Sequence, residues 1–132
     1  MAWQFASTKP IYQQIVDAVA LRIFNGTYPM GERLPSVRDL AETAAVNPNT
    51  MQRALSELER MGLVSTQRTT GRTVTTEAAV IESARLNRAA RLAETFLTRM
   101  KELNADPLEA VQTAMEQSAK EGEEEQHECD NA

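Results

Sequence analysis

The sequence predicts a mainly α-helical fold that carries one small β-hairpin. Apolar residues recur at three- and four-residue intervals along most of the chain, the period of an amphipathic helix. Only 5% of residues are aromatic, and there are 5 Gly and 5 Pro, a composition that favours helix over sheet. Val and Thr concentrate around residues 63–76, where a glycine-bearing turn separates two short runs.

At 132 residues the chain has room for about one domain, which excludes a dinucleotide-binding or barrel enzyme of ~250 residues. Hydrophobic residues make up 42% and charged residues 25%, as in a soluble globular protein. No window approaches the ~18 consecutive apolar residues of a membrane span. Met1-Ala2-Trp3-Gln4-Phe5 lacks the basic-then-apolar pattern of a secretory leader. A single cysteine, Cys129, forms no intramolecular disulfide, and a cytoplasmic location is expected. The net charge is −5, but it is unevenly spread: residues 1–76 hold eight Lys/Arg against six Asp/Glu, and residues 77–132 hold six against thirteen. A mildly basic first half and an acidic second half suggest two jobs.

Ile11, Ile15, Val19 and Ile23, spaced by four, predict a first helix from about Pro10 to Phe24, closed by Asn25-Gly26. Trp3 and Phe5, just ahead of it, are expected to cap the hydrophobic core or a dimer seam. Tyr28-Pro29-Met30-Gly31 reads as a loop. Ser36 and Asp39 have the S-x-x-D spacing of a capping box, so a second helix begins there, with Val37, Leu40, Ala41 and Ala44 on one face. After the short break at Ala45-Val46, Asn47 is an N-cap candidate and Pro48 occupies the first helical position, where proline is best tolerated. The third helix buries Met51, Ala54, Leu55, Leu58 and Met61 and stops at Gly62. A hairpin is expected from Leu63–Gln67 and Arg72–Thr76 around Arg68-Thr69-Thr70-Gly71. Two further helices follow, over about Glu77–Leu103 and from Asp106-Pro107 onward, and Glu121–Ala132 is expected to be a disordered acidic tail.

Two short helices joined by a tight turn and followed by a hairpin are the layout of a winged helix-turn-helix. That assigns residues 1–76 to a DNA-binding domain, 77–120 to a helical dimerisation region and 121–132 to the tail. A major groove about 12 Å wide admits one helix, whose leading residues reach base edges. The outward stripe Asn49, Gln52 and Arg53 contains the side chains that pair bidentately with adenine or guanine. Asn47 and Thr50 lie at an amide-rich helix start that suits a phosphate. Arg68 and Arg72 flank Gly71, placed to approach a phosphate or a minor groove.

The run Gly31-Glu32-Arg33-Leu34-Pro35-Ser36-Val37-Arg38-Asp39-Leu40-Ala41 resembles the signature of the GntR family of bacterial transcription regulators. Val46-Asn47-Pro48-Asn49-Thr50-Met51-Gln52-Arg53-Ala54-Leu55, followed by Leu58-Glu59-Arg60-Met61-Gly62-Leu63-Val64, resembles that family's recognition helix, and Asn-Pro-Asn-Thr its YtrA-type subgroup. The resemblance covers about residues 10–76. It implies that Arg38 of the L-P-S-x-R motif contacts DNA from the second helix, with Ser36 counted beside it. It also implies that Asn47, Asn49, Thr50 and Gln52 read or clamp DNA, and that Arg68–Gly71 form the wing tip. Pro48 and Gln52 stand where many relatives have arginine, and Thr69 and Thr73 replace a common glycine and aromatic, so base preference does not carry over.

The second half is too short for the effector domains of large family members and has room for two helices, as in the YtrA-type subgroup. Their apolar residues need a partner, and a second copy is the simplest, since two-fold dimers match palindromic operators. Leu86, Leu92, Phe96, Leu97, Met100, Leu103, Leu108, Val111 and Met115 are the interface candidates, a set that the sequence does not sort from residues packing helix to helix within one chain, and a chain ended near Val80 is expected to be monomeric. No effector is identified from sequence. His127, Glu128 and Cys129 do not make the closed ligand set that zinc prefers, so neither metal nor cofactor is expected. The expected function is a sequence-specific dimeric repressor on double-stranded DNA. The competing reading is a winged-helix protein-docking module, which an apolar third-helix face would have favoured. An enzyme fails on inventory, with no phosphate loop, no G-x-S-x-G and no Cys/His pair in a folded region.

Overall fold

The computed structural model describes residues 3–69 and 71–130, with side chains through 125. In chain order it comprises α1 (Ile11–Phe24), α2 (Val37–Ala44), α3 (Pro48–Arg60), β1 (Val64–Gln67), β2 (Gly71–Val74), α4 (Ala78–Glu102) and α5 (Pro107–Asp130). The chain divides into two compact units, Met1–Leu86 and Asn87–Ala132.

The first unit is built around one apolar core. Helix α1 contributes Ile15, Val16, Val19, Ala20 and Ile23; α2 contributes Leu40, Ala41 and Ala44; α3 contributes Met51, Ala54, Leu55 and Leu58. Leu34, Leu63, Val64 and Val74 close it from the hairpin side, and no buried residue among those described is polar or charged. Trp3 and Phe5 pack on its edge, as the sequence suggests. The segment ahead of α1 is tied down by Gln14, whose Oε1 accepts from the Ala6 N–H at 2.7 Å while its Nε2 donates to the Ala6 carbonyl at 2.7 Å.

Local chemistry sets the helix ends. The Asp39 N–H donates to Ser36 Oγ at 3.1 Å and the Asn49 N–H to Asn47 Oδ1 at 2.8 Å, so Ser36 and Asn47 both act as N-caps; of the expected capping box the structure shows the Ser36 half. Helix α3 ends in a Schellman motif: the Leu63 N–H donates to the Leu58 carbonyl at 3.1 Å and the Gly62 N–H to the Glu59 carbonyl at 3.0 Å, with Gly62 at φ +82°. The end of α2 uses the same motif. Val46 N–H donates to Ala41 O at 3.0 Å and Ala45 N–H to Glu42 O at 3.2 Å. Here the left-handed position, φ 58° and ψ 48°, is taken by alanine.

A Cβ in that conformation costs roughly 1–2 kcal/mol. Ala45→Gly removes the penalty and gives back about 0.4–1 kcal/mol of unfolded-chain entropy. The variant is therefore expected to be more stable by about 0.5–1 kcal/mol, a melting-temperature rise of roughly 4 °C in thermal unfolding.

The hairpin is antiparallel, with Val64 opposite Val74, Ser65 opposite Thr73, Thr66 opposite Arg72 and Gln67 opposite Gly71. Its other edge is not open. Gly31 N–H donates to Val74 O at 3.0 Å, Val74 N–H to Glu32 O at 2.9 Å, and Leu34 N–H to Arg72 O at 2.8 Å. Residues 31–34, between the expected loop and α2, thus pair along β2 and stiffen the wing.

The first compact unit runs on to Leu86, past the end of the winged segment. The reason is packing: Val80, Ile81 and Ala84, in the first turns of α4, lie against the core of that unit. In the second unit, α4 closes at Asn104 (φ 54°) with Ala105 N–H donating to Met100 O at 2.9 Å, and Asp106 Oδ1 caps α5 by accepting from Leu108 N–H at 3.0 Å. No α4 residue is fully buried. Leu92, Leu97, Leu103, Leu108, Val111 and Met115 are all exposed, Leu108 by 80%. Helix α5 continues to Asp130, where the sequence expects a disordered tail. Glu is a good helix former without burial, so the absence of apolar residues after Lys120 does not end the helix.

Candidate nucleic-acid interface

One helix turns two different faces outward and inward. Because α3 repeats every 3.6 residues, burial of Met51, Ala54, Leu55 and Leu58 leaves Asn49, Gln52, Arg53 and Ser56 in solvent. Asn47 and Asn49 are exposed and Thr50 half-buried at the helix start, where Asn47 already accepts the Asn49 amide. Ser36 and Arg38 are exposed at the start of α2, and Ser36 Oγ is engaged as the cap. The sequence-predicted residues of α2 and α3 therefore share the leading ends of two packed helices.

Arg53 has a further neighbour. Its guanidinium carbon lies 3.8 Å from the centroid of the Tyr12 ring on α1. Cation–π stacking of this kind contributes about 0.5–1 kcal/mol at an exposed site and restricts the arginine to few rotamers. The sequence does not single out Tyr12, since nothing in the local pattern of α1 announces a partner on α3.

The wing residues separate into two kinds. Arg68 is exposed beside the tip. Arg72 is not at the tip: its side chain is only 17% exposed, and Nε donates to Glu59 Oε1 at 2.7 Å. Thr66 Oγ1 donates to the same carboxylate, so Glu59 clips β1 and β2 onto α3. The Thr66 hydrogen bond, followed by that of Arg72 and its charge, holds the Glu59 carboxyl below the usual carboxylate range, against the opposing effect of burial. Gly71 (φ +78°) opens β2, and the side chain of Arg33 lies over it: a Cβ there would meet Arg33 Nε at 3.4 Å. Thr70 lies outside the described residues.

The clip has a pH signature. A carboxyl whose folded pKa is depressed stabilises the fold above its ordinary pKa, and that contribution is lost as pH falls through the folded value. Glu59→Gln is expected to cost about 1 kcal/mol at neutral pH, after discounting for partial exposure. The difference from the parent chain should shrink as pH drops below the usual carboxylate range, as followed by denaturant unfolding.

An open groove of about 380 Å³ lies within the first unit, lined by Ile23, Phe24, Pro29, Met30, Ile81 and the Glu82–Arg85 ion pair, among others. Among the described residues no three His, Cys, Asp or Glu gather as a metal site, and His127, Glu128 and Cys129 lie outside the described side chains. No helix among the described residues is long and apolar enough to cross a membrane.

Two capped helices on a common core, with a polar leading face and a stiffened hairpin beside them, define a winged helix-turn-helix DNA-binding protein. A profile of the family described as "Bacterial regulatory proteins, gntR family" matches residues 11–74. The chain is 39% identical over 116 residues to the uncharacterized HTH-type transcriptional regulator YhcF of Bacillus subtilis, covering 86% of this chain and 96% of that one. It is 43% identical over 65 residues to the HTH-type transcriptional repressor YtrA of the same organism, covering 49% of this chain and 50% of that one. A solved GntR family transcriptional regulator from Listeria monocytogenes matches with a TM-score of 0.78 at 38% identity, over 85% of this chain and 98% of that one. BusR of S. agalactiae, solved in complex with its busA-promotor DNA, matches with a TM-score of 0.54 at 27% identity, over 86% of this chain and 55% of that one. The chain belongs to the GntR family: it is a DNA-binding transcription regulator and not an enzyme.

Proposed function

We propose that this chain is a sequence-specific repressor that binds a palindromic operator as a homodimer, through residues 1–76, with residues 77–120 as the dimerisation region. The observation that carries the reading is the pairing of two features on one chain. The first unit holds Asn49, Gln52 and Arg53 outward on α3, and the second exposes Leu92, Leu97, Leu103, Leu108, Val111 and Met115 with none of its described residues fully buried. Exposed apolar side chains at helical spacing need a partner surface, and a second copy supplies a two-fold axis that an inverted repeat matches. Phe96 and Met100 are half-buried on the same stretch of α4, and Leu86 is exposed where the first unit ends. Repression is supported by the name of the YtrA relative and by simple geometry, since a bound dimer blocks polymerase.

Within this reading, arginines supply salt-sensitive affinity through phosphates, and Asn49, Gln52 and Arg53 discriminate bases. Asn47 and Thr50 clamp a phosphate at the α3 start, Ser36 and Arg38 approach from α2, and Arg68 and Gly71 present the wing. Arg72 supports the wing from within, through Glu59. Selection from a random duplex library at ~150 mM salt tests the whole proposal. An inverted repeat with half-sites about one helical turn apart is the expected product, and recovery of no motif would refute it. On the selected site Gln52→Ala is expected to cost ~1–3 kcal/mol and to relax base choice at one position per half-site. Equal losses on selected and random duplex would remove Gln52 from base readout.

A further inference from the structure

We infer that Arg33, and not Arg72, is the cation that joins Arg68 in holding the wing to the DNA backbone. The inference rests on the DNA-binding reading and adds a residue to it that the motif-bearing helices do not contain. Arg33 belongs to the segment that pairs along β2, where it stands opposite Thr73. Alternation along an extended segment sends neighbouring side chains to opposite faces, and here Leu34 is buried while Arg33 is exposed. The Arg33 side chain then lies across the bare backbone of Gly71, with Nε 3.4 Å and Nη2 3.6 Å from the point a Cβ would occupy. Gly71 is required by its left-handed φ of +78°, and the guanidinium rests at van der Waals distance above it.

The two arginines differ in what holds them. Among the described residues no carboxylate pairs with Arg33, whereas Arg72 is mostly buried and donates to Glu59 at 2.7 Å. Arg72 Nε is already committed to Glu59, so turning it to a phosphate would exchange one charge-assisted bond for another, and its charge is partly neutralised where it stands. Arg33 is exposed, so meeting a phosphate costs it only water. A neutralised cation releases no counterion from DNA; an unpaired one releases about one for each phosphate it meets.

The test uses the full chain, a random-sequence duplex as probe, and the slope of log affinity against log salt concentration, read by fluorescence anisotropy. Arg33→Gln, which keeps the stem over Gly71, is expected to make the slope shallower by about 0.9 for each phosphate that Arg33 neutralises, with an unchanged melting temperature. Arg33→Lys is expected to retain the slope. Arg72→Gln is expected to lower the melting temperature while keeping the parent slope at temperatures where it is folded. An unchanged slope in Arg33→Gln, or an equal loss of slope in a fully stable Arg72→Gln, would overturn the assignment. A parent chain with no salt-dependent affinity for the duplex would instead overturn the DNA-binding reading beneath it.

Discussion

A chain ended after Arg91 is expected to fold and to lose most of its DNA affinity. Among the described residues, all the buried ones lie at or before Val74, and the α4 side chains that pack on them, Val80, Ile81 and Ala84, are retained in this truncation. What is removed is the stretch in which none of the described residues is fully buried. With two winged units held together, binding of the second half-site is intramolecular, and its loss lowers affinity by about 10²–10⁴-fold. Sedimentation should show a monomer, thermal unfolding should stay close to the parent's, and binding to an inverted repeat should fall by that factor. Full affinity in the truncated chain would refute the dimer. The cut suggested by sequence alone, near Val80, would be a poorer experiment, because it strips Ile81 and Ala84 from the core and confuses unfolding with monomerisation.

Leu58→Ala should have the largest effect on stability. The side chain is fully buried on α3, and its carbonyl anchors the Schellman turn through Leu63. Removing it costs about 2–5 kcal/mol, transfer and cavity terms together. Small domains are stable by only about 5–15 kcal/mol, so the variant should melt more than about 10 °C below the parent. Measured cold, where it is still folded, it should bind DNA with the parent's base preference. Gln52→Ala is its mirror image, with the melting temperature kept and the base preference changed. A Leu58→Ala chain that melted normally would mean that the α3 core is not packed as described.

The contrast between these variants shows what is legible in the sequence. Ser36, Asn47 and Gly62 can be read directly, because a cap is decided by one side chain and the amide beside it. The inward face of α3 is legible for a similar reason, since four apolar residues at helical spacing leave little choice. Long-range partners are not. Residues 31–34 pair with β2 across some forty positions of sequence, and no local alternation announces it. Arg72 reads as a base of the wing turn, and nothing marks Glu59 as its partner until the fold brings them to one clip. Arg53 on Tyr12 and Arg33 on Gly71 are of the same kind: each is visible only once two elements have met. Ala45 is a different case. A glycine would have signalled the left-handed turn between α2 and α3, and the alanine that stands there hides it while carrying the strain.

The separation of faces on α3 bears on how such a regulator diverges. The residues that hold the helix in place, Met51, Ala54, Leu55 and Leu58, are wholly distinct from Asn49, Gln52 and Ser56, which point away from it. Substitutions on the outer face therefore carry almost no folding penalty, and a duplicated copy can drift toward a new operator without passing through an unstable intermediate. Arg53 is the exception, because its stacking on Tyr12 ties one outward position to α1. If the proposed readout holds, divergence of target choice is expected to run freely through positions 49 and 52, and to change position 53 only together with position 12.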